Sequence, residues 1–395
     1  MICETRTDTS AARARQTVGI SEPSRVLVAE DQDDVLAAIG MLLKNNGYVA
    51  EFAKSPTDAL SALSTRRFDA VLLDLNYGRD TTSGAESLEL LSKVQALDST
   101  LAVVAMTAWA TIDLAVDAMH RGACDFVQKP WDNAHLLQVL QEQMKRSRRL
   151  RKKRLHDQLE NEEAARIQRA LLPQQIAVPD GLTVSVSTQP VRTVGGDYYD
   201  VISLDEHRST ICIADVMGKG LGAALLVSNL QAAVRMLAPQ VADPRELCAR
   251  VNELIFANGV AGKFVTFFCC VADLKLKRIT YTNAGHNWPI LARSNGKCER
   301  LGTQDVVLGT VRNWSYRQEE MELRGGDRLV LFTDGITECA NAEGTEFGEE
   351  HLLGLVRKNT QLGADELKQL ILESANGHCD GVLADDATLI VASVR

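Results

Sequence analysis

Acidic side chains follow several apolar segments of this 395-residue chain at the points where those segments end. In the N-terminal part, Glu30 and Asp31 follow RVLVA, and Asp74 closes AVLLD. Thr107 closes LAVVAMT, and Lys129 follows DFVQ. Three carboxylates clustered with one ammonium can bind a hard divalent cation such as Mg²⁺. A carboxylate beside that cation and a lysine can accept a phosphoryl group, because both cations neutralise the charge that develops on its oxygens.

A second set of aspartates occupies comparable positions in the C-terminal half. Its members stand in GGDYYD, ADVMGKG, FTDGITE and LADDATLIV, and they are Asp197, Asp215, Asp334, Asp385 and Asp386. Carboxylates that converge without histidine or cysteine suit Mg²⁺ or Mn²⁺ better than zinc. Two such ions can share a bridging water, lower its pKa and neutralise a phosphate for in-line attack. Each acid alone is more often a helix cap or loop residue, so the ordered sets carry the prediction.

The elements that must position the first set alternate between strand and helix over residues 25–146. Short apolar runs such as RVLVAE, DAVLLDL and LAVVAMTA are separated by helical patterns. This rhythm predicts an α/β domain with a doubly wound parallel sheet, which has helices on both faces. Ligands of such sheets bind at the carboxyl ends of the strands.

Residues 132–172 contain neither glycine nor proline, and their spacing predicts one long exposed helix. Eight of the ten residues in 145–154 are basic. A solvated linker face is favoured over contact with nucleic acid, because no aromatic side chains interleave the run and the chain carries a net charge of −9. A coiled-coil homodimer stays open, although basic residues fall at core positions of the heptads.

Strand-like runs dominate residues 181–395, with helical stretches near 221–238, 244–258 and 349–376. This pattern predicts an α+β sandwich. We therefore divide the chain into a disordered segment 1–23, an α/β domain 24–146, a helical linker 132–172 and an α+β domain 173–395. The nine cysteines form no C-x-x-C pair, the N-terminus lacks a signal-peptide core and no apolar run is long enough to span a membrane. A cytoplasmic protein without disulfides is the expectation.

The first constellation resembles the receiver domain of two-component response regulators over about residues 25–145, and the resemblance implies that the doubly wound parallel sheet has five strands. The resemblance implies that Asp74 is the phosphoacceptor and that Glu30 and Asp31 hold Mg²⁺ beside it. Thr107 would be the switch hydroxyl, Phe126 the aromatic switch residue, and Lys129 the contact to phosphate, followed by a cis peptide bond in KP. A sensor histidine kinase would be the partner.

The second constellation resembles metal-dependent PPM-type serine/threonine phosphatases of the bacterial SpoIIE/RsbU-like branch over about residues 160–395. The motifs in family order are IQRALLP, GGDYYD, ADVMGKGLGAAL, FVTFF, NAGHNWP, TDGITE and DDATLIV. The resemblance implies that two Mn²⁺ or Mg²⁺ ions are held by Asp197, Asp215, Asp334 and Asp385, with the backbone carbonyl of Val216 as a further ligand. Asp386 would support this set.

Three residues near these motifs keep open roles. Asp200 could support a ligand or hold a weaker third metal, but a strand-end cap is favoured. His286 is expected to be structural rather than catalytic, and Lys219 is expected to be a surface lysine rather than a phosphate contact. The glycines after Asp215 could form a nucleotide loop, but they lack the acid that a dinucleotide fingerprint requires about twenty residues on.

Together these features predict a response regulator in which phosphorylation of Asp74 controls a phosphoserine/phosphothreonine protein phosphatase. The resemblance suggests an anti-anti-sigma (STAS-type) protein as the substrate, in partner-switching control of sigma factors. The alternative is a catalytically silent adaptor that binds a partner through a phosphatase-like domain. All four metal aspartates are present, which favours the enzyme.

Overall fold

The computed structural model describes residues 23–76, 85–107, 112–173, 175–258, 262–302 and 305–395. The expected disordered segment 1–23 lies outside these ranges except for Pro23. By contacts, the chain divides into two compact units, Met1–Asp157 and Gln158–Arg395.

The N-terminal unit is a parallel sheet with helices on both faces, as predicted, and its strand order is β2-β1-β3-β4-β5. Its elements are β1 (Arg25–Ala29), α1 (Asp33–Asn45), β2 (Val49–Ala53), α2 (Pro56–Thr65), β3 (Ala70–Asp74), α3 (Ala85–Leu97), β4 (Ala102–Thr107), α4 (Ile112–His120), β5 (Asp125–Gln128) and α5 (Asn133–Leu171). Strand β2 has no strong apolar run, since it is an edge strand whose side chains are mostly part-exposed.

Helix α5 is continuous over residues 133–171 of the predicted linker 132–172. Its first turns contribute Leu136, Leu140 and Met144 to the core on one face of the parallel sheet. Near its end, Ala165 packs with Val194 and Ala224 of the C-terminal unit. The middle of the helix is almost entirely exposed, which explains its polar sequence.

The C-terminal unit is a sandwich of two five-stranded sheets, with strand orders β13-β10-β9-β8-β7 and β12-β11-β14-β15-β6. Its elements are β6 (Leu182–Gln189), β7 (Asp197–Ser203), β8 (Arg208–Val216), α6 (Leu221–Leu237), α7 (Pro244–Ala257), β9 (Val265–Asp273), β10 (Arg278–Ala284), β11 (Ile290–Ala292), β12 (Cys298–Arg300), β13 (Glu319–Glu322), β14 (Arg328–Phe332), α8 (Asp334–Thr337), α9 (Glu349–Lys358), α10 (Ala364–His378) and β15 (Ala387–Val394).

Three apolar layers hold this sandwich together. One core lies between the sheets, one joins α6 and α7 to the first sheet, and one joins α9 and α10 to the second. The α+β sandwich was predicted, and the helical region expected near 349–376 consists of two helices. Helix α9 ends at Lys358, and a turn through Gly363 precedes α10, whose N-terminus is closed by the Glu366 side chain bonded to the Gly363 N–H.

Candidate functional site

The first candidate site lies at the carboxyl ends of the parallel strands. Asp74 ends β3 and Thr107 ends β4, while Glu30 and Asp31 follow β1 and Lys129 follows β5. The Lys129 ammonium lies 2.9 Å from Asp74 Oδ2 and 2.5 Å from Glu30 Oε2. Because β1, β3, β4 and β5 are neighbours in the sheet, their ends place these five side chains at one edge.

The acidic part of this site fits a divalent cation. Ligand oxygens of Glu30, Asp31 and Asp74 lie within 4.8 Å of one another. Burial raises the pKa of Glu30, and the nearby Asp74 charge adds to the rise, while Lys129 opposes it. Glu30 and Asp74 carry two buried negative charges but share a single ammonium, that of Lys129. A bound Mg²⁺, which prefers oxygen ligands, would supply the missing positive charge.

A cavity of about 600 Å³ opens beside Asp74. Asp74 and Lys129 line it together with Val35, Pro130 and Trp131. The Lys129–Pro130 peptide bond is cis, as expected. Sequence reasoning missed Trp131, although its position directly after KP was the available signal.

The second candidate site gathers the predicted phosphatase aspartates at one end of the sandwich. Asp197 begins β7 and pairs in register with Asp215 near the end of β8. Asp334 begins α8, two residues after β14, while Asp385 and Asp386 precede β15, the neighbour of β14. Strand pairing thus brings together residues that lie almost 190 positions apart.

Asp386 organises the backbone around this site. Its carboxylate accepts hydrogen bonds from the N–H groups of Gly196, at 2.6 Å, and Val191, at 2.6 Å. Asp385 instead forms an ion pair with Lys219, whose ammonium lies 2.9 Å from Asp385 Oδ2 and 2.6 Å from the Ala384 carbonyl oxygen. The two adjacent aspartates therefore differ: Asp386 points into the backbone and Asp385 faces a cation.

Two glycines permit close approach of the chain segments here. A Cβ on Gly335 would lie 2.1 Å from the Asp386 carbonyl oxygen, and one on Gly196 would lie 3.0 Å from the Val216 carbonyl oxygen. The first distance excludes any side chain unless the backbone moves. The glycines after Asp215 allow the turn that leads into α6. Gly218 and Gly220 adopt φ values of 102° and 79°, a backbone conformation that favours glycine.

The electrostatics of this site fit divalent cations. Burial raises the pKa of Asp215 to about 7, and Asp334, Asp385 and Asp386 add to the rise. Burial likewise raises the pKa of Asp197 well above its ordinary value and the pKa of Asp334. Among the described residues, Asp197 Oδ1 is buried without a hydrogen-bond partner. Clustered carboxylates with an orphaned oxygen match the donor set of Mg²⁺ or Mn²⁺.

Comparisons with known proteins connect both sites to families. The family described as stage II sporulation protein E (SpoIIE) matches residues 205–395, and the response regulator receiver domain matches residues 26–141. Phosphoserine phosphatase RsbU of Bacillus subtilis (strain 168) is 31% identical over 233 residues, which are 59% of this chain and 69% of RsbU. The chain belongs to the SpoIIE/RsbU phosphatase family and carries a receiver domain.

Other relatives agree with this assignment. Phosphoserine phosphatase RsbP of Bacillus subtilis (strain 168) is 25% identical, over 61% of this chain and 59% of RsbP. The SiaA-PP2C domain of Pseudomonas aeruginosa superposes with a TM-score of 0.56 at 20% identity, covering 62% of this chain and 98% of that domain. At that identity, the likeness shows a shared PP2C fold. Among the described residues, no helix has the length and apolarity that a membrane span requires.

Within the phosphatase domain, the structure overturns the favoured interpretation of Asp200. This residue lies in the middle of β7, fully buried, and is not a strand-end cap. Its Oδ2 accepts from Arg235 Nε at 2.7 Å and from the Tyr198 hydroxyl at 3.0 Å. Side chains alternate along a strand, so Asp200 faces α6 and Asp197 faces the opposite side of the sheet. Asp200 is thus the buried partner of Arg235.

His286 occupies a structural position, as expected. Its ring Nδ1 lies 2.9 Å from Thr266 Oγ1, and its backbone N–H donates to Asn283 Oδ1 at 2.7 Å. The Asn283 side-chain amide donates in return to the His286 carbonyl at 2.9 Å. Burial lowers the pKa of His286 to about 4, which keeps the imidazole neutral.

Two further contacts are formed in the phosphatase site. Lys219 is exposed, as expected for a surface lysine, and its ammonium forms an ion pair with Asp385. Thr333, which had not been singled out, donates to Asp197 Oδ2 at 2.8 Å and accepts from the Thr388 N–H at 2.8 Å. Its place directly before Asp334 in TDG was the signal.

Phe126 lies on β5 with 41% of its surface exposed, and Thr107 is buried at the end of β4. Thr107 thus lies at the strand end next to Asp74, and Phe126 has a largely accessible ring. The switch roles of both residues remain predictions.

Proposed function

We propose that this protein is a response regulator in which phosphorylation of Asp74 controls a metal-dependent protein phosphatase. The observation that carries the proposal is the presence, in one chain, of the Lys129–Asp74 ion pair and of four aspartates at one end of the sandwich, of which Asp197 is buried and Asp215, Asp334 and Asp385 are part-exposed. We take 24–146 as the receiver, 132–172 as the linker and 173–395 as the phosphatase domain.

In the receiver, Asp74 would accept the phosphoryl group from a sensor histidine kinase. Glu30 and Asp31 would hold Mg²⁺ with Asp74, and the ion when bound supplies charge that offsets the incoming phosphoryl oxygens. Lys129 is already 2.9 Å from the acceptor and would contact the phosphate. Thr107 and Phe126 would relay the change as the switch pair.

In the phosphatase domain, Asp197, Asp215, Asp334 and Asp385, with the Val216 carbonyl, would hold two Mn²⁺ or Mg²⁺ ions. When bound, these ions would supply a water of lowered pKa and offset the negative charge of the substrate phosphate. Thr333 orients Asp197, and Asp386 fixes the Gly195–Gly196 backbone through the Gly196 N–H.

The substrate that we propose is a phosphoserine or phosphothreonine on a STAS-type protein. Support comes from RsbU and RsbP, both named phosphoserine phosphatases. The chain spans 69% of RsbU and 59% of RsbP, so substrate and partners are assigned to this protein only as proposals. Partner-switching control of a sigma factor, in the cytoplasm, is the corresponding pathway class.

Helix α5 would transmit the signal as part of a homodimer. Leu155 and Leu159 project from its middle one turn apart, with 57% and 56% of their surfaces exposed. Exposed leucines four residues apart on one helix could pack against a second copy. The basic residues of 145–154 flank this stretch, and contact with nucleic acid is not part of the proposal.

The decisive experiment is manganese-dependent release of phosphate from a phosphorylated STAS-type protein. Asp215→Asn and Asp385→Asn are expected to lower kcat/KM by about 10³-fold, the order of loss typical for removal of a central electrostatic group. Asp380→Asn, on an exposed turn, is the matched control and should retain activity. No turnover by folded, manganese-loaded wild type would reject the enzyme and favour the silent adaptor.

Regulation is tested by comparing wild type and Asp74→Ala with and without a small-molecule phosphodonor. We expect the phosphodonor to change the activity of the wild type only. Equal rates under all four conditions would rule out control through Asp74.

A further inference from the structure

A second cavity of the receiver lies at the opposite end of the sheet from Asp74. Its volume is about 810 Å³, and it is lined by five arginines and one acid: Arg25, Arg66, Arg67, Arg148, Arg151 and Asp69. Arg25 begins β1 and Asp69 directly precedes β3, whereas Asp74 ends β3. The cavity is therefore separated from the acceptor by the length of one strand, roughly 15 Å.

The arginines of this cavity are only partly neutralised. Arg148 bonds to Asp69 at 3.1 Å, and Arg151 bonds to Asp98 at 2.9 Å. Arg66 bonds to both oxygens of Glu51 at 3.0 Å. In the described part of the chain, the guanidinium groups of Arg25 and Arg67 have no carboxylate partner. Five permanent positive charges thus meet three carboxylates around one concave surface.

We propose that this cavity binds a polyphosphate anion, either inorganic or the polyphosphate chain of a nucleotide. Guanidinium groups stay charged at all physiological pH values and match phosphate oxygens with paired N–H donors. A concave surface focuses the positive electrostatic potential of these arginines. The cavity is therefore locally positive although the chain carries a net charge of −9. The volume lies within the roughly 300–1,000 Å³ typical of small-ligand pockets.

A continuous nucleic-acid track fits these observations less well. Arg148 and Arg151 turn towards the receiver, where Arg148 bonds to Ser24 Oγ at 2.6 Å and Arg151 to the Phe68 carbonyl at 3.1 Å. Arg148 and Arg151 therefore line the concave cavity and are not part of a continuous basic surface along α5. Proteins that bind single strands without sequence preference usually add aromatic side chains on which bases stack, and the basic run has none.

The position of the cavity gives such an anion access to the linker. Arg148 and Arg151 belong to α5 and attach it to the loop before β3 and to the turn after α3. A bound polyphosphate would compete with Asp69 and Asp98 for these guanidinium groups. The receiver would thus contain an anion site that acts on the same helix as Asp74 from the other end of the sheet.

The test is calorimetric titration of the full chain with tripolyphosphate in EDTA, which keeps the metal sites out of the measurement. Arg67→Ala is expected to weaken binding about tenfold. Among the described residues, the Arg67 guanidinium has no carboxylate partner, so its hydrogen bonds would go to the anion. The double variant Arg25→Ala/Arg67→Ala should lose measurable binding. Arg146→Ala removes the same charge from α5 outside the cavity and should stay within twofold of the wild type.

Further arms identify the source of the anion and guard against misfolding. Equal affinity for tripolyphosphate and ATP would indicate an inorganic chain, and tighter binding of ATP a nucleotide; both support the site. Arg67→Lys should fold and bind at intermediate strength. The proposal is overturned by absence of binding, by equal losses in Arg67→Ala and Arg146→Ala, or by tighter binding of an oligonucleotide that depends equally on Arg146.

Discussion

At the scale of single residues, contacts separate side chains that look alike in sequence. Asp385 and Asp386 are adjacent, yet one forms an ion pair with Lys219 and the other accepts backbone N–H groups. Asp197 and Asp200 share one strand but face opposite sides of the sheet. The chemistry of each acid is set by what surrounds it, and both predictions at this scale depend on such surroundings.

Removal of Lys219 is predicted to separate metal binding from turnover. Burial raises the pKa of Asp215 and Asp334, and the Lys219 ammonium partly offsets this rise. The ammonium therefore competes with cations for the same carboxylates. Lys219→Ala should therefore bind Mn²⁺ more tightly, by about threefold, while kcat/KM for the phosphoprotein falls about tenfold through loss of a cation beside the phosphate. Mn²⁺ titration and steady-state kinetics measure the two effects. Lys358→Ala, at the exposed end of α9, is the control. A parallel fall in Mn²⁺ affinity and kcat/KM in Lys219→Ala would contradict competition between Lys219 and the cation.

Acid is predicted to destabilise the phosphatase domain through His286. The pKa of this buried imidazole is about 4 in the folded chain and about 6.5 when unfolded, so the unfolded state binds more protons between these values. Above pH 6.5 both states hold the imidazole neutral, so the free energy of unfolding is at its full value. As the pH falls from 6.5 towards 4, the unfolded state takes up a proton and the free energy of unfolding decreases by about 2–3 kcal/mol.

Calorimetric unfolding at pH 7 and pH 4.5 checks this dependence. His286→Gln should be less stable at pH 7 but should lose less stability on acidification than the wild type. His207→Gln, with a half-exposed ring, should keep the wild-type dependence. An unchanged pH profile in His286→Gln would show that another group is responsible.

At the scale of elements, strand pairing and close turns assemble the phosphatase site. β14 and β15 pair in register, which sets the start of α8 against the residues before β15. Gly335 lies at this contact, where a Cβ would lie 2.1 Å from the Asp386 carbonyl oxygen. Helix α9, by contrast, contains Gly354, where a Cβ would extend into open space with no neighbouring atom within 4 Å.

Gly335→Ala and Gly354→Ala are therefore predicted to have opposite effects. The first should destabilise the phosphatase domain by roughly 2–4 kcal/mol and abolish most activity, because the Asp386 backbone must move. The second should stabilise by about 0.5–1 kcal/mol, since alanine favours the helix interior. Chemical denaturation followed by circular dichroism compares them. Equal destabilisation by both changes would refute the close-contact explanation.

At the scale of the whole molecule, α5 is the covalent and structural link between two different units. Its beginning packs in the receiver core, and its end bonds to the phosphatase through Gln168, which contacts the Gly195 backbone at 2.7 and 3.0 Å. Gly195 adjoins the Asp386-anchored Gly196. A movement of the last turns of α5 would thus reach the aspartates that we propose as metal ligands through one hydrogen-bonded backbone segment.

Insertions into the exposed middle of α5 are predicted to affect regulation according to helical phase. Two alanines after Arg154 rotate everything beyond them by about 200°, whereas seven rotate it by only about 20° from a whole number of turns. The two-residue insertion should abolish the phosphodonor response, and the longer seven-residue insertion should preserve most of it. Phosphatase activity with and without phosphodonor is the readout. Loss in both variants, or in neither, would argue against transmission through a rigid helix.

Sequence patterns alone determined the α/β and α+β halves, the long helix and the aspartates at strand ends, because these features depend on local periodicity and on motif order. The same patterns placed Asp74 with Lys129 through the geometry of parallel strands. They missed β2, whose exposed edge needs no apolar run, and they gave one helical region near 349–376 without the short turn that separates α9 from α10.

Only the tertiary structure decided the roles that depend on distant neighbours. Asp200 meets Arg235 across 35 residues, Asp386 meets Gly196 across 190, and the cavity arginines come from β1, the loop after α2 and α5. A side chain's partner is set by which elements pack together, and that packing is decided by the cores of the two units rather than by the residues beside it in sequence.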